Sequence, residues 1–207
     1  HAAAAAMAGL VHNRPYGLPG PAPLPDVPLV DEEMSGDLAR ATQVAFEQIR
    51  TGAARVPGVE LAAAEVFAEL QTMRLCNSCG IDATQTATKV AAEWVLIAER
   101  GGQEVETFFE TGGRRLAGLD LAGEAERRAH MTLDLLDATR PPTYKGPVVL
   151  RGPVLAEIMT SGVIQTLASA EQKFAGASTW EPGKSVLPGE TRGDPLTVWA
   201  NRAAPYD

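Results

Sequence analysis

Thr88-Lys-Val-Ala-Ala-Glu-Trp-Val-Leu-Ile-Ala-Glu-Arg-Gly-Gly-Gln-Glu-Val-Glu-Thr-Phe-Phe109 is the stretch that decides the fold. Val90, Ala92, Trp94, Leu96 and Ala98 share one parity. Lys89, Glu93 and Glu99 share the other, interrupted by Val95 and Ile97. A period of two belongs to a strand, whose successive side chains point to opposite faces. Gly101-Gly102 supplies two residues that tolerate positive φ, as a tight hairpin turn requires. Beyond it, Val105, Thr107 and Phe109 alternate with Glu104, Glu106 and Glu110. The spacing predicts an antiparallel hairpin with a buried side that holds Trp94 and a wet side.

Helical patterns flank this hairpin. Leu38, Ala41, Ala45 and Ile49, with Phe46 beside them, predict a helix over 35–50 that Gly52 stops. Ala122, Ala125, Ala129, Leu133 and Leu136 predict a second over 122–138, ended by Pro141-Pro142. Val66, Leu70 and Met73 fit a helical stripe as well as strands, so Val59–Leu75 is open on pattern alone. Val148-Val149-Leu150 reads as a short buried strand. Gly152-Pro153 then opens a third helix, with proline at its first position and Val154, Leu155, Ile158, Met159, Ile164 and Leu167 as its apolar face. Glycine and proline dominate from Phe174 onward, with a further strand expected at Leu196–Ala200. Prolines at 15, 19, 21, 23, 25 and 28 make 13–34 an extended surface connector. His1–Met7 reads as the end of a helix and lacks the basic start of a signal peptide.

Composition bounds the function. The 207 residues carry 45% hydrophobic and 21% charged side chains, an ordinary globular mixture. The formal charge of −8 disfavours direct nucleic-acid binding, which needs a basic face. No apolar run is long enough to cross a bilayer. The two cysteines both lie in Cys76-Asn77-Ser78-Cys79, which suits reduced thiols and a cytoplasmic protein better than a disulfide scaffold. The chain has no initiator methionine and stops at Pro205-Tyr206-Asp207, so it is expected to be an internal piece of a longer protein.

The order of signatures from Leu75 to Leu150 resembles the TldD/PmbA (TldE) family. It runs through Asn77-Ser78-Cys79-Gly80, the Gly101-Gly102 hairpin, Phe108-Phe109-Glu110, Gly113-Arg114-Arg115, an Ala/Leu helix, Pro141-Pro142 and Tyr144-Lys145-Gly146-Pro147-Val148-Val149-Leu150. The resemblance extends from the first helix to about Val198. It implies an α+β fold: an antiparallel β-sheet packed by helices, followed by the start of a β-rich C-terminal domain. Residues 1–145 would be the N-terminal domain without its front part, and 146–207 the beginning of the second. It also implies two strands with a turn between them over Val59–Leu75, and that reading is adopted. The family's two branches pair into a heterodimer that degrades or matures small peptides, and an older label links the family to DNA gyrase. The TldD branch holds zinc on a His-Glu-x-x-x-His helix. This chain resembles the PmbA/TldE side, which has no metal.

Each candidate site has a competing structural reading. Placed on the third helix, the zinc motif would retain Glu157 but put Ala156 and Ser161 where imidazoles are needed, and neither can ligate zinc. No histidine follows His130, so the chain contains no His-Glu-x-x-x-His. Catalytic and metal-ligating residues are therefore expected to be none, with zinc in a TldD-type partner. Cys76 and Cys79 form at most half a metal site. A redox role would need the thiol-activating helix N-terminus of a thioredoxin-like motif. Arg114 and Arg115 are candidates for contact with a peptide or a partner, or for intramolecular ion pairs. His130 falls beside the apolar stripe and reads as a structural or exposed histidine rather than a catalytic one. The glycines around Gly176 and Gly183-Lys184-Ser185 lack P-loop spacing. The expected function is that of the non-metal subunit of a TldD/TldE-type peptidase complex, inactive alone, with a TldD-type chain or a second copy as partner. The alternative is a non-proteolytic module, or divergent paralogue, that binds peptides by strand addition.

Overall fold

The computed structural model describes residues 17–150, 152–186 and 198–199. They form two compact units, one over 18–140 and the other comprising residue 17 and the described residues from 141 to 199.

The first unit is a three-stranded antiparallel sheet in the order β1-β2-β3: β1 Val59–Cys76, β2 Asp82–Arg100 and β3 Gln103–Gly113. The predicted hairpin is present and longer than expected. Arg100 pairs with Gln103 across the turn, and Trp94 opposes Phe109. Gly101 and Gly102 have φ of 62° and 81°, the left-handed backbone that the turn needs. Residues 59–75 hold one continuous strand rather than two with a turn. β1 pairs with β2 from Val59↔Ala98 to Cys76↔Asp82, with one irregularity between Leu61 and Ala63. The segment contains no glycine, proline or asparagine at which to reverse, so the chain first turns at Asn77–Gly80.

Helices α1 (Glu32–Gly36), α2 (Leu38–Ala53) and α3 (Leu121–Leu135) belong to the same unit. The single helix predicted over 35–50 is two, because Asp37 leaves helical geometry (φ −153°) and its carboxylate accepts the Arg40 N–H. Asp31 and Asp120 cap α1 and α3 in the same way. Gly52 does not stop α2. It is buried inside the last turn, and Ala53 follows it in the helix.

The core lies between one sheet face and α2 and α3. Ala45, Ile49, Ala53 and Val56 meet Ala92, Trp94, Leu96 and Phe109 of the sheet, and Leu121, Ala125 and Ala129 of α3. Trp94 is 1% exposed, and its ring centroid lies 6.1 Å from that of Phe109. Thr107 Oγ1 and Thr132 Oγ1 approach to 2.7 Å and tie β3 to α3. The opposite sheet face is uncovered by any of these helices. Ladder positions place Glu60, Glu65 and Glu69 of β1 on it, with Glu93 and Glu99 of β2. Glu104, Glu106 and Glu110 of β3 join them.

The second unit contains a helix that begins as α4 (Pro153–Glu157) and continues in wider turns over Ile158–Ala168, followed by α5 (Ala170–Phe174). The expected face of this helix is not a core. Val154, Leu155 and Ile158 are exposed, and Met159, Ile164 and Leu167 half-buried. Val148–Leu150 is not the buried strand expected. It has no ladder partner among the described residues, and Val149 is 89% exposed. An unpaired extended segment leaves its backbone groups to water, so apolar content alone cannot bury it. The expected strand at Leu196–Ala200 lies outside the described residues except for Val198 and Trp199, and the expected helix at His1–Met7 lies wholly outside them.

Candidate functional site

Thr88 is buried on β2 just beyond the last pair with β3, Val90↔Gly113. There the proline-rich connector takes over. Thr88 N–H donates to the Leu29 carbonyl at 3.0 Å. Asp31 N–H donates to Thr88 Oγ1 at 2.9 Å, and that hydroxyl lies 2.7 Å from the Arg114 carbonyl. A hydroxyl has one proton, so the short contact to Arg114 takes it, and the 3.3 Å approach to the Leu29 carbonyl is secondary. From Gly17 to Asp26 the connector is thus exposed, but it is anchored at Leu29.

Asp31 closes the junction. One carboxylate oxygen accepts from Glu33 and Met34 N–H at the start of α1, and the other from Leu116 N–H at 3.3 Å. Between α1, α2 and the turn at Leu116–Gly118 lies a cleft of about 350 Å³. Its apolar lining comes from Met34, Ala41, Val44, Leu116 and Leu119, and its polar lining from Asp31, Glu33, Asp37, Arg40 and Gln48. Such a cleft can hold a small apolar group with a cationic end. Its groups do not form a nucleophile and base pair, because Asp31 and Asp37 are engaged as helix caps.

Arg114 lies at this junction, half-buried, with Nη1 3.4 Å from the Thr88 carbonyl. Arg115 is exposed and precedes the Leu116–Gly118 turn. The other residues singled out from sequence lie elsewhere. Cys76 and Cys79 are exposed free thiols at the far end of the β1–β2 ribbon. Asn77 organises that turn, its side-chain oxygen accepting from Cys79 and Ile81 N–H, both at 3.0 Å. Cys76 Sγ donates to Asp82 at 3.3 Å, and this bond raises the thiol above its ordinary pKa. A redox cysteine needs the opposite shift. Arg74 pairs with Asp82 through two 2.7 Å bonds, which lower the Asp82 carboxyl. Glu157 is exposed and accepts from Ser161 Oγ at 2.8 Å. His130 is exposed on α3. Among the described residues no group of three or more His, Cys, Asp and Glu could hold a metal ion, and no helix is long and apolar enough to cross a membrane.

The sequence reading missed the Thr88–Asp31 junction. Asp31 before Glu32-Glu33 is a legible helix-start signal. Thr88 carries none, since its partners are 57 and 26 residues away.

No family model matches the chain, and neither does any curated protein. Solved structures do. TldE from Thermococcus kodakarensis aligns over 63% of this chain at 19% identity with a TM-score of 0.50. A proposed modulator of a DNA gyrase from Thermotoga maritima aligns over 81% at 16% identity with a TM-score of 0.63. The alignments span 30% and 39% of those two proteins, so this chain corresponds to well under half of either. The resemblance read from the sequence is matched by the three-dimensional structure: this chain has the TldD/PmbA/TldE-like fold.

Proposed function

We propose that this chain belongs to the non-metal subunit of a TldD/TldE-type complex that degrades or matures small peptides. The observation that carries the reading is the fold shared with TldE, in a chain without His-Glu-x-x-x-His. In this proposal zinc and the water-activating carboxylate reside in a TldD-type partner in the cytoplasm, or the subunit pairs with a second copy. The Asp31–Arg40 cleft and the neighbouring Arg114 and Arg115 contact peptide or partner. The net charge of −8 argues for a peptide rather than a nucleic-acid substrate.

The test compares the full-length protein alone, a TldD-type zinc chain alone, and the mixture, on unstructured peptides. Cleavage should appear in the mixture and disappear with a chelator. Chelator-sensitive cleavage by this protein alone would overturn the assignment. A mixture no faster than the zinc chain alone would favour a second reading, a non-proteolytic module that adds a partner strand. One observation supports that alternative: β1 runs for 18 residues and pairs, among the described residues, on its β2 side only. An open edge of that length can accept another strand.

A further inference from the structure

We infer that the uncovered face of the sheet is a docking surface for an extended, basic protein segment in which cationic and apolar side chains alternate. The inference goes beyond the peptidase reading and does not depend on it.

Glu65 pairs with Glu93, and Glu93 with Glu110, so three carboxylates stand side by side across all three strands. Neighbouring strands are about 4.8 Å apart, and like charges directly opposite destabilise a sheet. Apolar rows flank this acidic row. Ala63, Val95 and Phe108 form one, and Phe67 and Ala91 the other. Phe67 is 46% exposed and Phe108 59%. Lys89 is the one cation at the ladder positions of this face in the described strands.

A solvated face ordinarily intersperses both signs of charge and carries few aromatic rings. Here the acidic side chains recur with apolar ones between them, as in Glu65-Phe67-Glu69 and Glu106-Phe108-Glu110. The repeat along each strand is two residues, about 6.6–7 Å, which is also the side-chain repeat of an extended peptide. A segment whose every second residue is alternately cationic and apolar therefore matches in spacing, charge and polarity. A second copy offering the same face would set glutamates against glutamates.

The probe is a fluorescein-labelled peptide, Arg-Ser-Ile-Ser-Arg-Ser-Ile-Ser-Arg, titrated against the full chain by fluorescence anisotropy. Two control peptides carry Glu for Arg or Ala for Ile. The probe should bind saturably, and both controls at least about tenfold more weakly. Glu65→Gln, Glu93→Gln and Glu110→Gln combined, and Phe108→Ser separately, should each weaken binding about tenfold. Methyl resonances of the unsubstituted chain give a readout independent of variant folding: Val95 and Ile97 should shift, and Val90 and Leu96 on the packed face should not. No binding by the unsubstituted chain would overturn the inference, as would equal binding of either control or shifts confined to the packed face. A dimer that Phe108→Ser dissociates would assign the face to a second copy and overturn it as well.

Discussion

Gly52 of α2 and Ala122 of α3 meet backbone to backbone. A β-carbon on Gly52 would lie 2.8 Å from the Ala122 carbonyl carbon, closer than such atoms approach in real structures. The two helices can cross at this distance because position 52 has no side chain. In an exposed helix interior, Gly→Ala stabilises by about 0.5–1 kcal/mol. At Gly52 the sign should invert, with Gly52→Ala destabilising by about 1–3 kcal/mol through overpacking. Gly36→Ala is the control, since nothing lies within 4 Å of the added carbon. Urea unfolding of both variants checks the contrast, and a Gly52→Ala protein as stable as the parent would refute the close crossing.

Among the described residues Trp94 is the largest fully buried side chain, and its Nε1 has no hydrogen-bond partner there. Trp94→Ala should cost about 3–5 kcal/mol by opening a cavity. Trp94→Asp should cost at least as much, because it also buries an unpaired charge. Trp94→Phe should be milder than either, since it removes the orphaned N–H along with part of the ring. The order of the denaturation midpoints tests the ranking.

Thr88→Val keeps the shape of the side chain and removes the hydroxyl that joins Asp31 to Arg114. It should destabilise the protein by about 1–3 kcal/mol, leaving two backbone groups without their partner. Amide exchange should accelerate at Asp31 and around Arg114–Leu116, and Thr88→Ser should restore protection. Unchanged exchange in the valine variant would show that the junction does not hold the cleft together.

Glu124 governs part of the acid stability. Partial burial pushes its carboxyl up, but hydrogen bonds from Arg127 (2.7 Å) and Arg128 (2.6 Å) outweigh this, and the net shift is downward. The Arg128 guanidinium also lies 4.9 Å from the Phe109 ring centroid. A lowered folded-state pKa stabilises above the unfolded value, about 4.3 for Glu, and that stabilisation is lost as pH falls through the folded-state value. Melting temperature should therefore drop on acidification in this range, and less steeply in Glu124→Gln. Parallel curves would contradict the ion cluster's contribution.

Metal binding offers a fourth kind of check. The three histidines are His1, His12 and His130, and the cysteines are only three residues apart on an exposed turn. After removal of metal and reconstitution with zinc, the chain is expected to hold no stoichiometric metal. One tightly held zinc per chain would overturn this.

The hairpin was legible in the sequence because its cause is local. Alternation at period two and two adjacent glycines act within about twenty residues, and backbone geometry needs nothing further. The α3 stripe was readable for the same reason, whereas the α+β architecture was what the family resemblance implied. Histidine and cysteine spacing were read in the same way, and the expectation of no metal site in this chain rests on them. Other features depend on distant partners. The Val59–Leu75 pattern suits helix and strand alike, and only the pairing of each residue with β2 selects one unbroken strand. Val148–Leu150 is as apolar as a buried strand but has, among the described residues, no neighbour to pair with. Gly52 looks like a helix stop until α3 packs against it. Thr88, Asp31 and Arg114 converge although 57 residues separate the first two and 26 the first and third. The row of Glu65, Glu93 and Glu110 likewise exists only once register aligns three strands. Local periodicity specifies which faces are apolar, whereas tertiary structure decides which are covered, because burial and pairing require a second surface that no local pattern contains.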